Sequence, residues 1–122
     1  MSALQSYRDL EVWKKSIDLA EAIYLASKGF APEERFGLTS QVRRAAVSVP
    51  SNIAEGAARN GTAEFLQFLG VASGSLAELE TQVILAGRLQ MLSPEQVARL
   101  LAQAEEISKM LGGLKRSLAS RR

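Results

Sequence analysis

The side chains best suited to acid-base chemistry in this sequence are carboxylates, such as Glu78, Glu80, Glu105 and Glu106. Paired carboxylates can act as general acid and base. The chain, however, contains no histidine and no cysteine, which excludes Ser-His-Asp triads, thiol nucleophiles, disulfides and the usual zinc sites. Di-iron bundles need Glu-x-x-His pairs, and adjacent carboxylates on a helix, such as Glu105 and Glu106, point in different directions. We therefore expect no catalytic residue, no metal, no cofactor and no enzymatic activity.

The second predicted helix carries a polar stripe on the side opposite its apolar face. On a helical wheel the stripe consists of Arg44, Ser48, Ser51, Glu55 and Arg59. One interpretation is a solvated helix face, but such a face usually carries Lys and Glu, whereas this one carries small hydroxyls and arginines that suit partly buried pairing. We favour a subunit interface. The residues expected there are Arg43, Arg44, Ser48, Ser51, Asn52, Glu55 and Arg59.

The basic residues support a second interpretation, in which the protein binds RNA or DNA. The net charge is only +2, so the distribution of cations matters more than their number. The local concentrations are Arg43 and Arg44 in mid-chain and a C-terminal group of Lys115, Arg116, Arg121 and Arg122. For the C-terminal group, a frayed, solubilising end is the other interpretation. The residues expected to contact phosphates are Arg43, Arg44, Arg59, Arg88, Lys115 and Arg116.

Two helices are predicted in the first half of the chain. Apolar residues at helical spacing indicate a first helix over residues 9–27, with one face formed by Leu10, Trp13, Ile17, Ala20 and Tyr24. Val12, Leu19 and Ile23 widen that face, which suggests contact with two neighbouring helices. A second helix begins between residues 33 and 39 and ends near Asn60-Gly61, a strong turn signal. Pro50 lies inside this helix, where it removes one backbone hydrogen bond. We expect a kink there, not a helix end.

The second half predicts two further helices. After Gly61 the apolar positions alternate in steps of four and three, as in coiled-coil packing; they are Phe65, Leu69, Ala72, Leu76, Leu79, Val83 and Ala86. Beside this seam lie small residues that indicate close approach of another helix, namely Gly70, Ser73, Gly74, Ala77 and Gly87. The sequence Ser93-Pro94-Glu95-Gln96 is a complete N-terminal capping signal for the fourth helix.

These elements predict an all-α fold of one domain spanning residues 1–122, with flexible ends at about 1–7 and 119–122. A hydrophobic content of 47% supplies one ordinary core. The connectors are short, so neighbouring helices must run antiparallel, and the economical arrangement is an up-down-up-down four-helix bundle. No apolar run approaches the length that spans a bilayer, and the absence of cysteine suits a cytoplasmic protein. We expect no membrane partner.

Three segments resemble a known bacterial family over nearly the whole chain. They are YRDLEVWKKSIDLAEAIY at residues 7–24, FGLTSQVRRAAVSVPSNIAEGAARNG at 36–61 and EFLQFLGVASGSLAELETQ at 64–82. The sequence resembles the four-helix-bundle proteins first noticed as open reading frames in intervening sequences of large-subunit ribosomal RNA genes. Seven residues match the family pattern of the second helix, without an assigned role: Arg43, Arg44, Pro50, Ser51, Asn52, Glu55 and Gly56.

The resemblance implies a ring-shaped homopentamer without known catalytic activity. Relatives include the accessory protein of diversity-generating retroelements, which is thought to bind nucleic acid and a reverse transcriptase. The sequence therefore predicts a homo-oligomeric interaction or scaffold protein, whose partner is a protein or another macromolecule. The alternative is an RNA- or DNA-binding accessory protein that acts through arginines on the oligomer surface.

Overall fold

A computed structural model describes residues 6–121, and these form a bundle of four α-helices. The helices are α1 (Glu11–Ser27), α2 (Leu38–Ala58), α3 (Thr62–Arg88) and α4 (Pro94–Ala119). Two short 3₁₀ helices, Tyr7–Asp9 and Pro32–Glu34, precede α1 and α2. The described part of the chain contains no strand, which confirms the all-α prediction.

The four helices pack in a square in which each touches two neighbours. Contacts join α1 to α2, α2 to α3, α3 to α4 and α4 to α1, while the diagonal pairs have no Cα atoms within 8 Å among the described residues. Gln41, near the start of α2, meets Gln82, near the end of α3, whereas Ser48 meets Ser75. This reversed pairing means that α2 and α3 run in opposite directions.

The α1 helix is antiparallel to both of its neighbours. Arg43 at the start of α2 reaches Ser27 at the end of α1. Lys15, in the first half of α1, pairs with Glu106 of α4 at 3.6 Å, while Ala26 shares a cavity with Gln96 at the start of α4. The contacts therefore agree with the expected up-down-up-down topology.

The predicted seam of α3 lies in the core. Leu69, Ala72, Leu76, Leu79, Val83 and Ala86 are all buried, and Phe65 is half-buried against the core. The start of α4 is also as predicted, because the Ser93 hydroxyl accepts a hydrogen bond from the Gln96 amide at 3.1 Å and the Gln96 side chain accepts one from the Ser93 amide at 2.8 Å. Local sequence was sufficient for both features.

The core face of α1 was predicted correctly for Val12, Leu19, Ala20 and Ile23 and wrongly for Ile17 and Tyr24. The structure buries Val12, Ser16, Leu19, Ala20, Ile23 and Ser27, whereas Ile17 and Tyr24 are 40% and 41% exposed. Buried serines are tolerated here because each hydroxyl has a partner: Ser16 donates to the Val12 carbonyl at 2.7 Å and Ser27 to the Tyr24 carbonyl at 3.2 Å. With two serines on the buried side, Ile17 and Tyr24 are left at the surface.

The α2 helix continues through Pro50, as expected, and this proline is buried. The kink itself stays a prediction. Of the ends predicted to be flexible, residues 1–5 and 122 lie outside the described part of the chain. Ser6 caps the first 3₁₀ helix and Ala119 is the last residue of α4.

Close helix approach occurs at Gly56 and Gly87. A Cβ atom on Gly56 would lie 2.7 Å from Phe68 Cβ, and one on Gly87 would lie 2.7 Å from Val97 Cγ2. Gly87 was among the small residues predicted to allow such an approach. At Gly70 and Gly74, in contrast, an added Cβ would meet no atom within 4 Å, so no helix of the same chain explains them.

Candidate interaction surfaces

Arg43 is engaged within the chain, between α2 and α1. Its Nε donates to the Ser27 hydroxyl at 2.8 Å and a terminal nitrogen donates to the Tyr24 carbonyl at 3.5 Å. The guanidinium also lies over the Tyr24 ring at 4.7 Å, an attractive cation-π geometry. Arg43 thus holds the end of α1 against the start of α2.

Ser48 and Asn52 are half-buried and belong to the contact between α2 and α3. The Ser48 hydroxyl lies 2.7 Å from that of Ser75. The Asn52 side-chain amide donates to the Ser48 carbonyl at 2.8 Å and to its hydroxyl at 2.9 Å. These hydroxyls join two helices of one protomer, which the wheel of α2 alone could not reveal.

Arg59 is surrounded by acidic partners of its own chain. It pairs with Glu55 at 2.8 Å and with Glu64, in the first turn of α3, at 3.8 Å. Its guanidinium also lies 4.9 Å from the centre of the Phe68 ring. Two carboxylates beside one cation leave this end of α2 locally negative, which disfavours a phosphate there.

Arg44 and Ser51 are the two predicted interface residues whose side chains make no hydrogen bond or ion pair with the described residues. Both are exposed. Arg44 lines a groove between α2 and α3, here called the α2–α3 groove, with a volume of about 440 Å³. The lining residues are Phe36, Ser40, Gln41, Arg44, Ala45, Ser48, Ser75 and Glu78. Arg44 and Glu78 both line this groove but form no ion pair within 4.0 Å.

The buried amide of Gln82 lies behind this groove. Gln82 is 7% exposed and donates to the Gln41 side chain at 3.5 Å. Its Oε1 is the buried side-chain oxygen without a partner among the described residues. Because the donor distance is long, this polar contact stabilises the helix pair weakly.

A feature missed by sequence reasoning is an apolar groove between α1 and α2, here called the α1–α2 groove. It has a volume of about 270 Å³ and is lined by Tyr7, Trp13, Ile17, Ala20, Val47, Pro50, Ser51 and Ala54. Trp13 packs edge-on against Tyr7 with ring centres 5.2 Å apart, and Val47 is 41% exposed. The regular apolar spacing of α1 was the signal for this surface, although it was assigned to the core.

A second apolar surface is the outward side of α3, here called the α3 outer face. Val71, Ile84 and Leu85 are 46–48% exposed. Between and beside them lie exposed residues with little or no side chain, Gly70, Gly74 and Ala77. This surface is smooth as well as apolar.

The arginines and lysine predicted to contact nucleic acid fall into two groups. Arg43, Arg44 and Arg88 lie in the half of the bundle where α2 begins and α3 ends. Arg59, Lys115 and Arg116 lie in the opposite half, where α2 and α4 end. The six residues therefore form no single patch on one protomer.

The described residues contain no cluster of three or more acidic, histidine or cysteine side chains that could hold a metal ion. Among these residues, no helix is both long enough and apolar enough to cross a membrane.

Comparison with known proteins extends over most of the chain. Residues 8–113 match the model of a family described as 23S rRNA-intervening sequence protein. Among solved structures, the chain is similar to a crystal structure at 1.70 Å resolution of a protein with unknown function from the S23 ribosomal protein family of Bacteroides thetaiotaomicron VPI-5482. The two share 26% identity and a TM-score of 0.80, over 85% of this chain and 97% of the other. No curated protein matches.

Proposed function

The chain belongs to the 23S rRNA-intervening sequence protein family, and we propose that it is a non-enzymatic interaction protein that works as a homo-oligomer, with a pentamer as the expected size. The observation that carries this proposal is the amount of apolar surface left outside a small bundle. Trp13, Ile17 and Val47 line an open groove on one side, and Val71 and Leu85 are half exposed on another. Large exposed apolar surfaces rimmed by polar residues mark interaction sites.

The carboxylates support a role without catalysis. Glu105 lies 3.6 Å from Lys109 and Glu106 lies 3.6 Å from Lys15. Each carboxylate is thus exposed, paired with a lysine and directed at a different neighbour. Two carboxylates that diverge in this way do not converge on one substrate, as a general acid and a general base do.

Light scattering coupled to size-exclusion chromatography tests the assembly. The expected mass is about 66 kDa, five times the 13.2 kDa of one chain. Any defined oligomer supports the proposal and corrects its size. A mass of one chain at every concentration up to the solubility limit contradicts it.

A second candidate function is binding of RNA or DNA by the assembled protein, and it is favoured by the unpaired guanidinium of Arg44. Assembly would repeat this cation in each copy and so raise the local positive charge that a nucleic acid meets. The salt dependence of binding, measured by fluorescence anisotropy with labelled RNA and DNA, is the test. Contact with phosphates predicts that affinity falls steeply with salt, and that Arg44→Ala lowers the slope by about one. Lys109→Ala is the control, because Lys109 is already paired with Glu105. Binding that does not depend on salt excludes phosphate contacts.

A further inference from the structure

The α2–α3 groove contains one cation and one anion that have no partner among the described residues, Arg44 and Glu78. We propose that this groove binds a small zwitterion, an α-amino acid with an aromatic or large apolar side chain. Its carboxylate meets Arg44 and its ammonium group meets Glu78. This site goes beyond the proposed function, because every residue that lines it belongs to one chain and its ligand is neither a second copy nor a nucleic acid.

The groove lies where two polar contacts between α2 and α3 bracket a small residue. One contact is the amide pair of Gln41 and Gln82, and the other is the hydroxyl pair of Ser48 and Ser75. On each helix the two contacts are separated by two turns. The antiparallel register therefore places Ala45 between them, in line with the acidic wall residue of α3. Ala45 contributes only a methyl group to the groove, so it forms a floor and does not fill the space between the helices.

The two charged side chains of the groove do not neutralise one another. Arg44 and Glu78 are both exposed, and they form no ion pair within 4.0 Å. Elsewhere in the bundle opposite charges on two helices do pair, as Lys15 and Glu106 do at 3.6 Å. A simple anion in the groove would be repelled by the carboxylate, and a simple cation would be repelled by the guanidinium. A ligand that carries both charges is attracted by both, so the charge pattern favours a zwitterion.

The hydroxyl pair supplies a further donor for the carboxylate of the ligand. Ser48 Oγ and Ser75 Oγ lie 2.7 Å apart, and one hydroxyl hydrogen serves this contact. Each hydroxyl carries one hydrogen, so the second hydrogen of the pair has no acceptor among the described residues. Both serines line the groove with Arg44, which precedes Ser48 by one turn. A carboxylate held by a guanidinium and a hydroxyl has charge-assisted hydrogen bonds, which are stronger than neutral ones.

An unsatisfied acceptor lies beside the ammonium end of the site. Gln82 follows Glu78 by one turn of α3, and its Oε1 is buried without a partner among the described residues. Its amide nitrogen donates to Gln41, which lines the groove, over a long 3.5 Å. Buried polar atoms without a partner are uncommon in native proteins. An ammonium group brings three donors, and this end of the groove is where the acceptors are.

The rim of the groove favours an aromatic or large apolar side chain on the ligand. Phe36 lines the groove and is 87% exposed. The Arg35 guanidinium lies over its ring, 5.2 Å from the centre, so one face of the ring has a partner within the chain. A ligand side chain that packs on this ring removes apolar surface from water. The volume of about 440 Å³ is within the range of small-molecule sites, about 300–1,000 Å³.

The first experiment compares ligands that differ by one charge. Phenylalanine, N-acetylphenylalanine and phenylalaninamide are titrated into the isotope-labelled full chain and followed by NMR, together with leucine, tryptophan and inorganic phosphate. Phenylalanine should shift the backbone amides of residues 40–48 and 75–82 in a saturable way. Each of its derivatives should bind at least about tenfold more weakly, because each lacks one charge-assisted contact. If none of the three amino acids shifts these amides, the inference is overturned. Equal binding of N-acetylphenylalanine or phosphate also overturns it, since the groove would then be an anion site.

The second experiment exchanges the preference of the groove. Arg44→Gln and Glu78→Gln should each weaken phenylalanine at least about tenfold. Glu78→Gln removes the repulsion of a carboxylate, so N-acetylphenylalanine should bind this variant as tightly as phenylalanine does. Phenylalaninamide should equal phenylalanine in Arg44→Gln for the corresponding reason. The control is Arg99→Gln, at an exposed arginine of α4 that lies outside the groove, and it should bind phenylalanine like the wild type. The spectrum of each variant shows whether it is folded. Unchanged phenylalanine affinity in folded Arg44→Gln or Glu78→Gln overturns the inference.

Discussion

The α3 and α4 helices resemble one another inside the bundle and differ outside it. They contain 27 and 26 residues, and each buries a regular apolar seam. In α4, six of the twelve exposed residues are charged, whereas in α3 only three of twelve are. The exposed charges of α4 are Glu95, Arg99, Glu105, Glu106, Lys109 and Arg116, and those of α3 are Glu64, Glu78 and Arg88. The regular apolar positions of a helix therefore indicate which side faces the core. The composition of the opposite side indicates whether that side is exposed to solvent or contacts a partner.

The seams of the two helices should be equivalent, and core truncation tests this. Leu76→Ala in α3 and Leu111→Ala in α4 each remove a side chain that is at most 2% exposed. We expect each to lower the free energy of unfolding by about 2–5 kcal/mol, because the lost apolar contacts are replaced by a cavity. Urea unfolding followed by circular dichroism measures both. A loss in one helix without a similar loss in the other would contradict the equivalence.

The glycines of α3 should divide according to their surroundings. Gly87→Leu drives a side chain into Val97, whose Cγ2 would be 2.7 Å from the new Cβ, and we expect about 1–3 kcal/mol of destabilisation from overpacking. Gly70→Ala has open space and should stabilise the isolated chain by up to about 1 kcal/mol, since alanine favours a helix over glycine. Thermal unfolding of both variants at low protein concentration measures these effects with the least contribution from assembly. Stabilisation by the Gly87 variant would show that α3 and α4 separate easily.

The N-termini of the two helices should also respond differently. Ser93 closes a capping box at the start of α4, so Ser93→Ala should cost about 1 kcal/mol. Gly61, before α3, makes no side-chain cap hydrogen bond, and Gly61→Ser should add only a few tenths of a kcal/mol. Urea unfolding midpoints, compared at an unchanged m-value, give the change in unfolding free energy for both variants. If Gly61→Ser stabilised the protein by as much as Ser93→Ala destabilised it, the expected difference between the two helix N-termini would be contradicted.

Single charges on the outer faces should have the smallest effect on folding. Glu105→Gln in α4 removes a fully surface pair with Lys109 and should change the free energy of unfolding by less than about 0.5 kcal/mol. Glu78→Gln in α3 removes an exposed carboxylate that forms no ion pair with the described residues, so it should be equally neutral for folding. Urea unfolding followed by circular dichroism measures both variants. A loss of more than about 1 kcal/mol in either would contradict the small effect expected of an exposed charge.

The features predicted correctly from the sequence are those that depend on residues close together in the chain. Two examples are the alternating spacing from Leu69 to Ala86 and the capping sequence that begins at Ser93. Each could be predicted because it depends only on residues of one helix. The helix through Pro50 was also expected to continue. The interaction surfaces were harder to predict from the sequence. An apolar helix face has the same residue pattern whether it packs against the core or against another molecule.

Tertiary contacts decided which face of α1 is buried and what the polar stripe of α2 does. Ser16 and Ser27 could enter the interior only because their hydroxyls have hydrogen-bond partners, and for Ser27 one partner is Arg43, sixteen residues away. The same contacts turn Ile17 and Tyr24 outward and use Ser48 to join α2 to α3. The sequence by itself determined four amphipathic helices and their antiparallel order, because periodicity and short connectors act locally. Long-range pairing decided the rotation of α1 about its axis and the partners of the α2 stripe, and it leaves Ile17 and Val47 exposed in the α1–α2 groove.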